Sequence, residues 1–76
     1  MYIFINEEII SLENIMNISK DEENNLIRIV YLINERKVDY YLDYSERKIK
    51  PNEKETDLQK DFKKLKNKLC RKEKNV

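Results

Sequence analysis

From residue 26 to residue 44 the chain carries apolar side chains at a spacing of two. In "LIRIVYLI" (26–33), Ile27, Ile29, Tyr31 and Ile33 fall on one face and Arg28, Val30 and Leu32 on the other. That period and the β-branched content predict a strand. "NERK" (34–37) reads as a hairpin turn of about four residues. "VDYYLDY" (38–44) then alternates cleanly: Val38, Tyr40, Leu42 and Tyr44 point one way, Asp39, Tyr41 and Asp43 the other. This is the pattern of a half-buried antiparallel strand. Upstream, residues 2–6 form a strand that is apolar on both faces, Tyr2 and Phe4 opposite Ile3 and Ile5. Asn6-Glu7-Glu8 reads as a turn. Residues 9–19 read as one further strand, bent or bulged near Asn14, with a short helix over 11–17 as the alternative. "DEENN" (21–25) is a polar turn.

The period changes after residue 55. Leu58, Phe62, Leu65 and Leu69 fall at i, i+4, i+7 and i+11, which makes one stripe on a helix. "TDLQ" precedes the stripe as a capping box, with the Thr56 hydroxyl and the Gln59 side chain each reaching the other's backbone N–H. Asp57 suits the positive start of a helix and the Lys/Arg-rich end suits its negative terminus. The helix is expected over 57–70, with 71–76 a frayed basic tail. Residues 45–55, with Pro51, form a polar connection. The expected architecture is a single α+β domain over 1–70: an antiparallel β-meander of about four strands packed on one C-terminal helix.

One helix covers one sheet face, whereas the strands at 2–6 and 26–33 are apolar on both. A homodimer, or a protein partner on the second face, is therefore expected. Size points the same way. A chain of 76 residues buries only about 60% of its unfolded surface, so its core is marginal. With one cysteine, Cys70, and no histidine, neither an intrachain disulfide nor a zinc set is available, and no cofactor is expected.

Net charge is only +1, but it is split along the chain. Residues 1–27 hold six acids against one lysine, a net of −5, and residues 50–76 hold ten Lys/Arg against five acids, a net of +5. Such a split suits surfaces of opposite sign, or simply solvation. No stretch of 18 apolar residues predicts a membrane span. The opening "MYIFINEEII" lacks the basic start of a signal peptide. A lone cysteine fits a reducing cytoplasm. Ile, Lys and Asn supply 31 of the 76 residues and glycine none, a bias expected of an A/T-rich bacterial or phage genome. The lack of glycine also removes every Gly-rich phosphate loop.

No catalytic residue emerges. Cys70 has no histidine to act as its base. Asp39 and Asp43, four apart on a strand, stand about 13 Å from each other, too far for a retaining glycosidase pair. The helix places Lys60, Lys64 and Arg71 opposite its apolar stripe, a candidate nucleic-acid contact, although solvated lysine faces look alike. The tyrosines argue against base stacking. Tyr40 and Tyr44 go with the apolar face, and Tyr41 lies between two carboxylates that repel phosphate. An aromatic hydroxyl framed by acids fits a protein interface better. The expected interaction face is Tyr41, Asp39, Asp43, Arg28, Val30 and Leu32.

"INEEIISLENIMNI", "IRIVYLI", "YYLDYS" and "LQKDFKKLKNKL" resemble very small proteins of low-GC bacteria and their phages. These share an I-x-L-x-x-I-x-x-I strand, two further strands and a helix ending F-x-x-L-K-x-x-L. This chain departs from them by lacking a glycine in the second hairpin and by its longer 45–55 connection. The resemblance covers residues 3–69 and implies the meander-plus-helix fold. Members mostly lack known activities, so the resemblance implies fold more than function; some small phage proteins of comparable size and charge act as stoichiometric inhibitors of host defence systems. The function expected is a small, non-enzymatic, cytoplasmic protein-binding module, in its sharper form a phage or mobile-element inhibitor. A nucleic-acid-binding regulator using the basic helix face is the alternative.

Overall fold

The computed structural model describes residues 1–46 and 55–74, with side chains through Cys70. The connection expected over 45–55, Pro51 included, thus lies almost wholly outside the described residues. The fold is α+β: β1 (Tyr2–Ile5), β2 (Glu8–Ser11), β3 (Ile15–Asp21), β4 (Leu26–Ile33), β5 (Arg36–Asp43) and α1 (Asp57–Lys74). The strands form two antiparallel sheets, a β1–β2 hairpin and a β3–β4–β5 meander.

The main departure from expectation is the stretch 9–19. It is not one bent strand but two strands, β2 and β3, in different sheets. Asn14 makes the break, at φ 64°. Before it, the Leu12 N–H donates to the Met1 carbonyl (2.9 Å); beyond it, the Asn14 carbonyl accepts from the Leu32 N–H (2.8 Å). One left-handed residue hands the chain from the first sheet to the second. Asparagine tolerates that conformation because its short polar side chain can hydrogen-bond locally. A register shift between Ile15 and Asn17 adds a bulge just after it.

The turns are built without glycine. Asn6-Glu7 (φ 51° and 62°) and Asn34-Glu35 (φ 50° and 65°) are both at positive φ, as a two-residue type I′ hairpin requires. The second hairpin is thus two residues long, not about four, and β5 begins at Arg36. Asn25 (φ 54°) closes the β3–β4 turn. The Asp21 carboxylate accepts there from the Asn24 N–H (3.2 Å) and Nδ2 (2.7 Å).

The capping box forms as expected. The Gln59 N–H donates to Thr56 Oγ1 (3.2 Å) and the Thr56 N–H to Gln59 Oε1 (3.1 Å). The helix runs to Lys74, four residues past the expected end and into the stretch expected to fray. Leu58 and Leu65 are buried, with Phe62 packed against the core.

The core lies on one face of the meander. Ile27, Ile29, Leu42 and Tyr44 meet Leu58 and Leu65 of the helix and Ile3, Ile5, Ile10 and Leu12 around the hairpin. Helix and hairpin therefore share the cover of one sheet face. Val38 and Tyr40, expected in the core with Leu42 and Tyr44, point to this same side but stay 44% and 38% exposed. They sit toward the Asn34-Glu35 end of β5, opposite Tyr31 and Ile29. Side-chain hydrogen bonds tie the hairpin to the meander. The Tyr31 hydroxyl donates to the Ser11 carbonyl (2.8 Å), the Tyr40 hydroxyl to the Glu8 carboxylate, and Asn6 Nδ2 to the Asp43 carbonyl (3.1 Å). Among the described residues, no helix is long and apolar enough to cross a membrane.

Candidate protein-interaction surfaces

The outer face of the meander collects the six residues expected to form an interface. Cross-strand register sets Arg28 opposite Tyr41, Val30 opposite Asp39 and Leu26 opposite Asp43, with Leu32 beside Val30 on β4. Directly opposed residues of an antiparallel pair share a face, so the six are brought together.

Their environments differ. Arg28 Nη2 lies 3.1 Å from both Asp39 carboxylate oxygens, and this bond, followed by the charge of Asp39, raises the guanidinium pKa. Both groups are partly open to water, so the pair contributes little stability. Val30, expected to be available to a partner, is only 8% exposed. It lies on the central strand, paired with Asn17 of β3 on one side and Asp39 of β5 on the other. Val30 lies outside the main cluster and forms a small buried point on the second face. The Asp43 carboxylate is engaged locally, accepting from the Ser45 N–H (2.9 Å), which lowers its pKa. That leaves Tyr41 (51% exposed) and Leu32 as the accessible apolar groups of this face.

Among the described residues, the most exposed apolar surface lies elsewhere. On the hairpin, Ile3, Ile5 and Ile10 turn into the core, which forces Tyr2, Phe4 and Ile9 outward at 71%, 64% and 71% exposure. Phe4 and Ile9 are direct cross-strand partners, and Tyr2 is two residues from Phe4 on the same face. Among the described residues, nothing covers these three large side chains on adjacent strands. Glu7, exposed at the turn, borders them with negative charge. The sequence did carry a signal for this surface, since residues 2–5 are apolar at every position. What periodicity could not show is that the hairpin forms a sheet of its own, with its second face turned to water.

On the helix, Lys60 and Lys64 are exposed, and the Arg71 side chain lies outside the described residues. Ion pairs link the helix and the meander to nearby acids. Lys63 Nζ reaches Glu55 at 2.7 Å. Lys20 contacts Glu22 at 3.2 Å and stands 5.6 Å from the Phe62 ring centroid. Glu55 and Glu22 have lowered pKa values, the first mainly through Lys63, the second mainly through the Gln59 amide and then Lys20. Cys70 is exposed. Among the described residues, no group of three His, Cys, Asp or Glu side chains is placed to hold a metal ion.

No family model, curated protein or solved structure matches this chain significantly.

Proposed function

We propose that this chain is a small non-enzymatic protein-binding module that acts by stoichiometric contact from the cytoplasm. Its sharper form is an inhibitor of a host defence protein encoded by a phage or mobile element. The observation that carries the reading is the Tyr2–Phe4–Ile9 surface. Contiguous exposed apolar groups with a polar rim mark binding sites on small proteins, and aromatic anchors dominate the energy of such contacts. The rim and the net charge of −5 over residues 1–27 select a partner whose apolar side chains are flanked by Lys or Arg. Tyr41 and Leu32 supply a second, smaller contact on the meander.

The test is affinity capture from a low-GC bacterial lysate with three immobilised proteins: wild type, Phe4→Lys/Ile9→Lys and Tyr41→Ala. Circular dichroism verifies that each is folded. The reading expects a partner retained in stoichiometric amount by wild type, lost with the double variant and weakened with Tyr41→Ala. Capture indifferent to all these changes, or no retained protein, refutes it. The exposed Lys60 and Lys64 support nucleic-acid binding as the second reading. A mobility shift that weakens steeply with salt and disappears in Lys60→Glu/Lys64→Glu would favour it instead.

A further inference from the structure

Among the described residues, β5 is an eight-residue edge strand paired on one side only. The other edge of the meander, β3, is interrupted by its bulge, a device that discourages edge pairing. Strand β5 has neither bulge nor proline. Its outward-facing groups can be assigned. The Tyr44 N–H donates toward β4, to the Asn25 carbonyl (2.8 Å). Alternation then turns the N–H and C=O of Lys37, Asp39, Tyr41 and Asp43 away from β4. The Asp43 carbonyl agrees, since it accepts from Asn6 Nδ2.

We propose that β5 pairs antiparallel with β5 of a second copy, about a two-fold axis at Tyr40, joining two three-stranded meanders into one continuous sheet. The side chains select this register. With Tyr40 opposite itself, Lys37 faces Asp43 of the second copy, Asp39 faces Tyr41 and Val38 faces Leu42, each pair occurring twice. Opposite charges meet, and the half-exposed Val38 and Tyr40 gain apolar neighbours. Shifting the axis to Asp39 sets Asp39 against Asp39. Shifting it to Tyr41 sets Asp39 against Asp43 twice. Like charges directly opposed are destabilising. Asp39 itself is compensated by Arg28 at 3.1 Å. Charges on an edge strand ordinarily repel foreign strands; here they match a copy of themselves. The Asp43 carbonyl keeps its bond to Asn6, and the hydrogen bonds along Lys37, Asp39 and Tyr41 hold the pairing. This contact is separate from the Tyr2–Phe4–Ile9 surface and does not rest on it.

Sedimentation across a concentration series tests the proposal. Wild type should dimerise. Lys37→Asp and Asp43→Lys should each weaken the dimer by about tenfold or more, because two attractive pairs become repulsive. Mixing the two variants should restore dimerisation, since each then faces its opposite. A non-hydrogen-bonded antiparallel pair sets Cα atoms about 4.5 Å apart, within the range a disulfide spans. Tyr40→Cys in a Cys70→Ser background should therefore cross-link on mild oxidation, whereas Glu35→Cys in the same background should not. A monomeric wild type without the Tyr40→Cys cross-link overturns the proposal. So does a dimer insensitive to both charge variants, or a mixture that fails to recover. Phe4→Lys/Ile9→Lys should leave the dimer unchanged, which separates this contact from partner binding.

Discussion

Glu35 sits at φ 65° in the second position of the Asn34-Glu35 turn, exposed to water. An L-residue with a Cβ holds the left-handed conformation at a cost of about 1–2 kcal/mol. Glycine holds it freely but brings a more flexible unfolded chain, an offset of about 0.5–1 kcal/mol. Glu35→Gly should therefore stabilise the domain by about 0.5–1 kcal/mol. For a chain of this size that corresponds to a rise in Tm of about 2–8 °C. Glu7, at φ 62°, belongs to the other sheet, so Glu7→Gly should add a similar, independent increment. Urea denaturation followed by circular dichroism reads both. The control is Glu23→Gly in the β3–β4 turn, where φ is not positive; the new glycine should bring a loss of a few tenths to 1 kcal/mol. If Glu35→Gly and Glu23→Gly destabilise equally, the left-handed assignment at residue 35 is wrong.

Three further outcomes follow from the packing. Leu65→Ala, at a fully buried position between helix and sheet, should cost about 2–5 kcal/mol in the same denaturation assay, enough to unfold much of so small a protein at room temperature. Thr56→Ala removes the acceptor for the Gln59 N–H and should cost about 1 kcal/mol, visible as reduced helical dichroism on mild heating. Burial raises the pKa of Tyr31 above its ordinary value near 10, so the folded state favours the neutral phenol. The stability gained is complete below pH 10 and declines as pH rises through the folded value. Alkaline titration should show this decline, and Tyr31→Phe should reduce it.

Legibility in the sequence followed the strength of the local physical signal. Helix α1 was readable because a stripe of four apolar residues and a reciprocal cap agree with one another. The co-facial set on β4 and β5 was readable because alternation fixes which side chains share a face, once the strands pair. The split at Asn14 was not, because apolar spacing continues on both sides of it and one asparagine in a left-handed conformation leaves no periodic trace. The two-residue turn at 34–35 was hidden for a related reason: the glycine that usually marks it is replaced by glutamate. The exposure of Val38 and Tyr40 depends on how far the helix and hairpin reach across the sheet, which no alternation records. The Tyr2–Phe4–Ile9 surface was half visible, as an apolar stretch with too many faces for one core.

The passage at Asn14 also bears on how the molecule breathes. Residues 2–11 share no backbone ladder with the meander; side-chain packing and the bonds from Tyr31, Tyr40 and Asn6 hold the two together. The hairpin can therefore lift away as a unit while β3, β4 and β5 keep every inter-strand bond. Such sub-global openings lie below the free energy of complete unfolding. Amide protons of β1 and β2 should exchange with solvent well before those of β4, which is bonded on both sides. Exchange is then expected to resolve two tiers: a more protected three-stranded body, and an N-terminal flap that carries the Tyr2–Phe4–Ile9 surface.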